Sequence, residues 1–221
     1  MSLPPPLAPP GIVVPAPRDD LCLDFANTRY WRGSDPATET LNAPADLIDW
    51  AASAGADPML TAALRRRWEE DPEGAVRAFE RTVREREAIY GVFAALAAGG
   101  GPAEDDLEAL NVALARAPAR GRLAARDGRF AWQIAAPLAL ETILAPIFWS
   151  AGDLLTGTRL GRVRQCANPQ CRWLFLDDSK SANRRWCAMS QCGNRAKAHR
   201  HYMRRKQQAE DRNEQTATDP L

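Results

Sequence analysis

Four cysteines in two pairs, Cys166-x4-Cys171 and Cys187-x4-Cys192, constrain this chain more than any other feature. Each pair lets the backbone bend so that both sulfurs face one point, and the fifteen intervening residues let the pairs meet. That arrangement suits a tetrahedral ion held by four thiolates, with no position left open for a substrate. Two disulfides or an iron–sulfur cluster are the competing uses. The N-terminus, MSLPPPLAPPG, has neither a basic residue nor an apolar stretch of the signal-peptide kind. No run approaches the ~18 apolar residues of a membrane span. The chain is therefore expected to be soluble and cytoplasmic, where thiols stay reduced and clustered cysteines favour a metal over disulfides. Nothing nearby calls for electron transfer, so Zn2+ is preferred to an iron–sulfur cluster. Cys22 stands alone and reads as a small buried side chain. His199 would be the first substitute if one cysteine failed to ligate.

The overall charge of +1 conceals a division. From Arg159 to Arg212, fourteen Lys/Arg face four Asp/Glu, a net of +10, whereas residues 1–158 carry −7. Such a split implies one module that meets polyanions and another that does not, unless the two parts simply pack on each other.

Residues 1–17 read as a disordered, proline-rich arm. In Asp19–Trp31, DDLCLDFANTRYW, Leu21, Leu23 and Phe25 alternate with smaller or polar residues, which predicts a short strand. Asn42 and Pro44 would open a helix to Ala54. Further helices are predicted from Pro58 through Trp68, from Pro72 to Leu96 and from Glu104 to Ala117, the second of these stopped by the glycines of AAGGGPA. Asp127-Gly128 signals a hairpin, and Leu138–Leu155 returns to helix, interrupted or bent near Pro146. The expected class is α+β: a mostly helical domain with a small antiparallel sheet over 18–158, a four-cysteine module ending in a basic helix over 159–209, and a disordered tail over 210–221. Leu160 and Val163 are expected to tie the two modules together.

The segment CANPQCRWLFLDDSKSANRRWCAMSQCGNRAKAHRHYMRR resembles the CGNR zinc finger, whose tetrapeptide is Cys192-Gly193-Asn194-Arg195 here. Phe175, the acidic pair Asp177-Asp178, Ser179, the RRWC run Arg184–Cys187 and the basic tail belong to the same pattern. LCLDFANTR, Leu21–Arg29, is similar to the opening of the ABATE domain, and GRFAWQ to a later strand of it. The resemblance implies a stress-induced transcriptional regulator in which Cys166, Cys171, Cys187 and Cys192 hold zinc and the finger contacts DNA.

The residues themselves permit that role. Gly193 would let the backbone turn tightly beside the metal, and Asn194 would cap a helix running from Arg195 to Gln208. Arg184, Arg185, Asn194, Arg195, Lys197, Arg200, Arg204, Arg205 and Lys206 are the candidate nucleic-acid contacts, mostly to phosphates of double-stranded DNA. Arg195 and Asn194 have an equally good use in bracing the metal knuckle. A zinc-stabilised RNA-binding or protein-interaction module is the alternative, since Trp173, Phe175 and Tyr202 could stack on bases or line the metal site. No phosphate-binding glycine motif is present, no histidine precedes His199, and the chain is not expected to be an enzyme. A homodimer would suit paired half-sites. A small-molecule effector, of identity the sequence does not name, would give the N-terminal domain a sensing role, with Trp50, Trp68 and Trp132 as candidate pocket residues; oligomerisation is its other expected role.

Overall fold

A computed structural model describes residues 12–126, 128–134, 139–198 and 201–205. In chain order the elements are β1 (Ile12–Pro15), α1 (Leu21–Ala26), β2 (Arg29–Tyr30), β3 (Thr38–Glu39), α2 (Pro44–Ser53), α3 (Pro58–Glu70), α4 (Pro72–Ala97) and α5 (Glu104–Arg116). Then follow β4 (Arg122–Arg126), β5 (Arg129–Ile134), α6 (Leu140–Thr156), a 3-10 turn (Leu160–Arg162), β6 (Val163–Gln165) and β7 (Leu174–Leu176). A π turn, Met189–Gly193, leads into helical residues at 194–198 and 201–205. The class is α+β, with a mostly helical first part, small antiparallel sheets and a cysteine-rich module that ends in a short helix.

The helix starts follow local chemistry. Asp57 caps α3 by accepting from the Met59 and Leu60 amides, and Asp71 caps α4 by accepting from Gly74 at 2.9 Å. Pro58 and Pro72 occupy the first helical position, where a missing N–H costs nothing. At α2 the cap is not Asn42 as predicted. Asp46 reaches back instead and accepts from the Asn42 and Ala43 amides at 2.8 and 2.9 Å, with the same effect on the free N–H groups.

Three expectations are corrected. Residues Leu21–Phe25 form helix α1 rather than a strand. Leu21, Cys22, Leu23, Phe25 and Ala26 are all buried, so the segment is enclosed on most sides and its alternation carries no facial signal. Residues 12–15, expected within the proline-rich arm, pair as β1 with β5; residues 1–11 lie outside the described chain, as does the expected tail beyond Arg205. Helix α6 runs over Leu140–Thr156 without the interruption that was one of the two expectations at Pro146. The hairpin joining β4 and β5 is present with Gly128 at φ +74°, a left-handed conformation that favours glycine; Asp127 lies outside the described residues.

The sheet order is β1-β5-β4, all antiparallel. Val14 and Ile134 pack from it onto Ala145 and Trp149 of α6. The main core is built from α1, α4, α5 and α6, through Phe25, Ile89, Phe93, Leu110, Leu144 and Phe148. Val163, Leu174 and Leu176 of β6 and β7 belong to this same core. At about 2 kcal/mol for each buried aliphatic side chain, the two modules are fastened by apolar packing as well as by the chain between them. Among the described residues no helix is long and apolar enough to cross a membrane.

Candidate metal centre and its basic surface

Strand β7 divides its side chains between two environments. Leu174 and Leu176 point to the main core, and Phe175 packs with Cys166, Cys171 and Cys192. The first knuckle, Cys166–Cys171, is tightened by Asn168, whose carbonyl accepts from Cys171 N at 2.9 Å and whose side chain accepts from Gln170 N at 3.1 Å. The Asn168 amide also faces the Cys192 sulfur at 3.5 Å. Ala167 N donates to Arg185 O at 2.9 Å, which draws the second cysteine pair toward the first.

The four sulfurs lie within 4.8 Å of one another. Cys171–Cys187 and Cys187–Cys192 are 3.7 and 3.8 Å apart. A tetrahedron with metal–sulfur bonds of about 2.3 Å has sulfur–sulfur edges of about 3.8 Å, so the donor set is compatible with zinc. Burial raises the Cys171 thiol and pushes that of Cys187 up to about 12. Burial acts the same way on Cys192, but hydrogen bonds from Asn168 and the neighbouring thiols outweigh it and lower its pKa. A cation entering this cluster must therefore displace protons.

Asp177 holds the loop that follows. It is fully buried and accepts from Ser179 N and Oγ, at 3.0 and 2.6 Å, and from Arg184 N at 2.8 Å. The Ser179 hydroxyl is the main reason its carboxyl sits below the ordinary value. Arg184 is thereby laid over the Phe175 ring, 4.4 Å from its centroid, and donates to the carbonyls of Trp186 and Cys187.

A family model described as "Putative stress-induced transcription regulator" (ABATE) matches residues 19–158, and one described as "CGNR zinc finger" matches residues 162–205. The chain belongs to the ABATE family. Both matched families are regulatory or zinc-finger modules rather than catalytic domains. With the four-cysteine cluster, they make this ABATE protein a zinc-finger regulatory protein. Among curated proteins, none matches the chain.

In this ABATE protein the predicted basic contacts fall into different settings. Arg184 is spent on the loop, as above. Arg195 stacks on Trp31 of the ABATE domain, 4.8 Å from its centroid, and Arg185 lies 5.5 Å from the Trp186 ring. Asn194 is not the predicted cap at the start of the following helix: it has helical φ and ψ, closes the π turn, and its amide donates to Ser190 O at 3.4 Å. Gly193 has no left-handed backbone. A Cβ there would come within 2.6 Å of the Met189 sulfur, so its use is close approach inside the π turn. Lys197, Arg204 and Arg205 are exposed helical residues with no hydrogen-bond or ion-pair partner among the described residues. Tyr202, a candidate for stacking on bases or lining the metal site, is 64% exposed. His199, Arg200 and Lys206 lie outside the described residues.

Sequence reasoning missed how the ABATE domain grips the finger. Asn27 donates to Leu174 O at 2.8 Å and accepts from Leu174 N at 3.0 Å, as a neighbouring strand would. Tyr90 donates to Arg172 O at 2.9 Å and accepts from Gln165 Nε2 at 3.0 Å. Gly33 N donates to Gln170 O at 3.0 Å, and a Cβ on Gly33 would meet Pro169 O at 1.8 Å. Trp31, two residues earlier, has φ +52°. For a bulky side chain that conformation costs on the order of 1–3 kcal/mol and persists only where its surroundings enforce it. The LCLDFANTR segment marked Asn27 by resemblance, but nothing in the spacing pointed to a partner 147 residues away.

Proposed function

We propose that Cys166, Cys171, Cys187 and Cys192 bind zinc and that the basic segment after Cys192 contacts double-stranded DNA, making this a DNA-binding transcription regulator. The observation that carries the reading is the set Lys197, Arg204 and Arg205: exposed, helical and without protein partners among the described residues, directly after the cysteine cluster. Unpaired cations on a short helix are suited to phosphate oxygens. Arg185, Arg200 and Lys206 extend this set by their place in the sequence. Arg184 and Arg195 act by positioning, since each already covers an aromatic ring. The ABATE domain supplies sensing or oligomerisation.

Capture of a random duplex library by the zinc-loaded protein, followed by sequencing, tests binding and specificity together. Affinity should fall steeply with salt. Arg204→Ala with Arg205→Ala should reduce the slope of log K against log salt by about 1.8, at about 0.9 for each phosphate no longer neutralised. Absence of retention on any duplex at low salt would refute the DNA reading. The exposure of Tyr202 (64%) and Met203 (48%) favours one second reading, stacking on single-stranded RNA. Competition by single-stranded RNA over duplex DNA would establish it.

A further inference from the structure

A groove of about 790 Å³ runs between the ABATE domain and the finger. Its walls carry four aromatic side chains: Tyr30, Trp31 and Trp50 from the first module and Trp173 from the second. All four are only partly buried; Arg195 covers one face of Trp31 and Phe25 packs against Trp50. The Tyr30 and Trp173 rings stand 6.3 Å apart at 61°. Neither the Tyr30 hydroxyl nor the three indole N–H groups has a hydrogen-bond partner among the described residues, and the side-chain amide of Gln191, at the finger's edge of the groove, has none either. The groove's carboxylate, Asp24, is already paired with Arg18. Trp31 adds an independent sign of function: it lines the groove in a left-handed backbone conformation that a bulky residue rarely adopts.

We propose that this groove binds a planar aromatic small molecule bearing hydrogen-bond acceptors, held between the two modules. Its volume lies in the range of small-molecule sites, about 300–1,000 Å³. Aromatic walls favour a flat ring system through offset stacking, and unpaired indole, phenol and amide donors favour carbonyl or ring-nitrogen acceptors on it. A macromolecule is a poorer fit to a concavity closed on two sides by different modules. The ligand's role as a regulatory input rests on the function proposed above; the existence of the site does not.

The test uses the full-length zinc-loaded protein without DNA, so its outcome is independent of the DNA reading. The probes are 2-quinolinone and nicotinamide, with cyclohexanecarboxamide as a saturated control. Binding is followed by quenching of intrinsic fluorescence and by saturation-transfer NMR. Saturable binding of a planar probe is expected, weakened by about tenfold or more in Trp173→Ala and for the saturated control. Ser53→Trp, which fills the rim from an exposed position, should abolish binding while the fold is kept, and serves as the deciding variant if Trp173→Ala does not fold. Trp68→Phe, outside the groove, should leave binding intact. Failure of both planar probes to saturate, equal binding of the saturated control, or binding unchanged in Ser53→Trp would overturn the proposal.

Discussion

Asn27 joins two modules with a single side chain. Its amide satisfies both the N–H and the C=O of Leu174, a residue with no exposed surface. Asn27→Ala would leave two buried backbone groups unpaired, each worth about 1–3 kcal/mol. Chemical denaturation should show a drop of about 2–6 kcal/mol in stability, and limited proteolysis should cut the finger sooner. Arg86 is the other decisive residue. It is 1% exposed and held by Glu39 in a bidentate pair at 2.6 and 2.7 Å, by Glu87 and by Thr28 Oγ1. Burial raises the Glu39 and Glu87 carboxyls, but Arg86 and Arg32 respectively override it, and both end below the ordinary value of 4.5. A lowered acid pKa means stability present above the unfolded value and lost as pH falls through the folded one. Stability should therefore drop as pH falls below about 4.5. Glu39→Gln should cost about 2 kcal/mol at pH 7 and flatten that drop, as urea midpoints measured across the acid range would report.

At the scale of elements, what could be read in advance was whatever local chemistry decides. Asp57-Pro58 and Asp71-Pro72 announce α3 and α4 because an acidic cap and a first-turn proline act on their own backbone. The cysteine spacing announces a cluster because four sulfurs have few other uses in a reduced chain. Helix α1 was not legible, since a helix enclosed on most sides shows no period of 3.6. Nor was β7. LFL reads as a uniform apolar run, and only the folded chain separates Leu174 and Leu176, which complete the main core, from Phe175, which packs against the cysteines. Because of that division, Leu174→Ala should lower global stability by about 2–5 kcal/mol, measured by thermal or urea unfolding of the whole chain, although the residue lies three positions from Cys171. Arg184 and Arg195 were candidate nucleic-acid contacts, with bracing of the metal knuckle an equal use for Arg195. Their stacking on Phe175 and Trp31 depends on contacts that sequence distance conceals.

The whole molecule is two family units with a shared interior. Val163, Leu174 and Leu176 bring the four-cysteine module into the ABATE core, Arg159 spans Asp19 and Asp178, and Asn27, Gly33 and Tyr90 hydrogen-bond to the finger's backbone. Removing zinc with a strong chelator should accordingly do more than loosen residues 166–192. Calorimetry should show the unfolding transition of the entire protein moving to lower temperature, and re-addition of zinc should restore it. Two separate transitions, with the upper one unmoved, would contradict this. The strands that complete the common interior also flank the cysteines, with a consequence for the protein's lifetime in a cell. Proteases act on the fraction of molecules that open, and that fraction grows several-fold when stability falls by about 1–2 kcal/mol. Metal supply would thereby set how many copies survive, and scarcity would be felt first as turnover of the regulator itself.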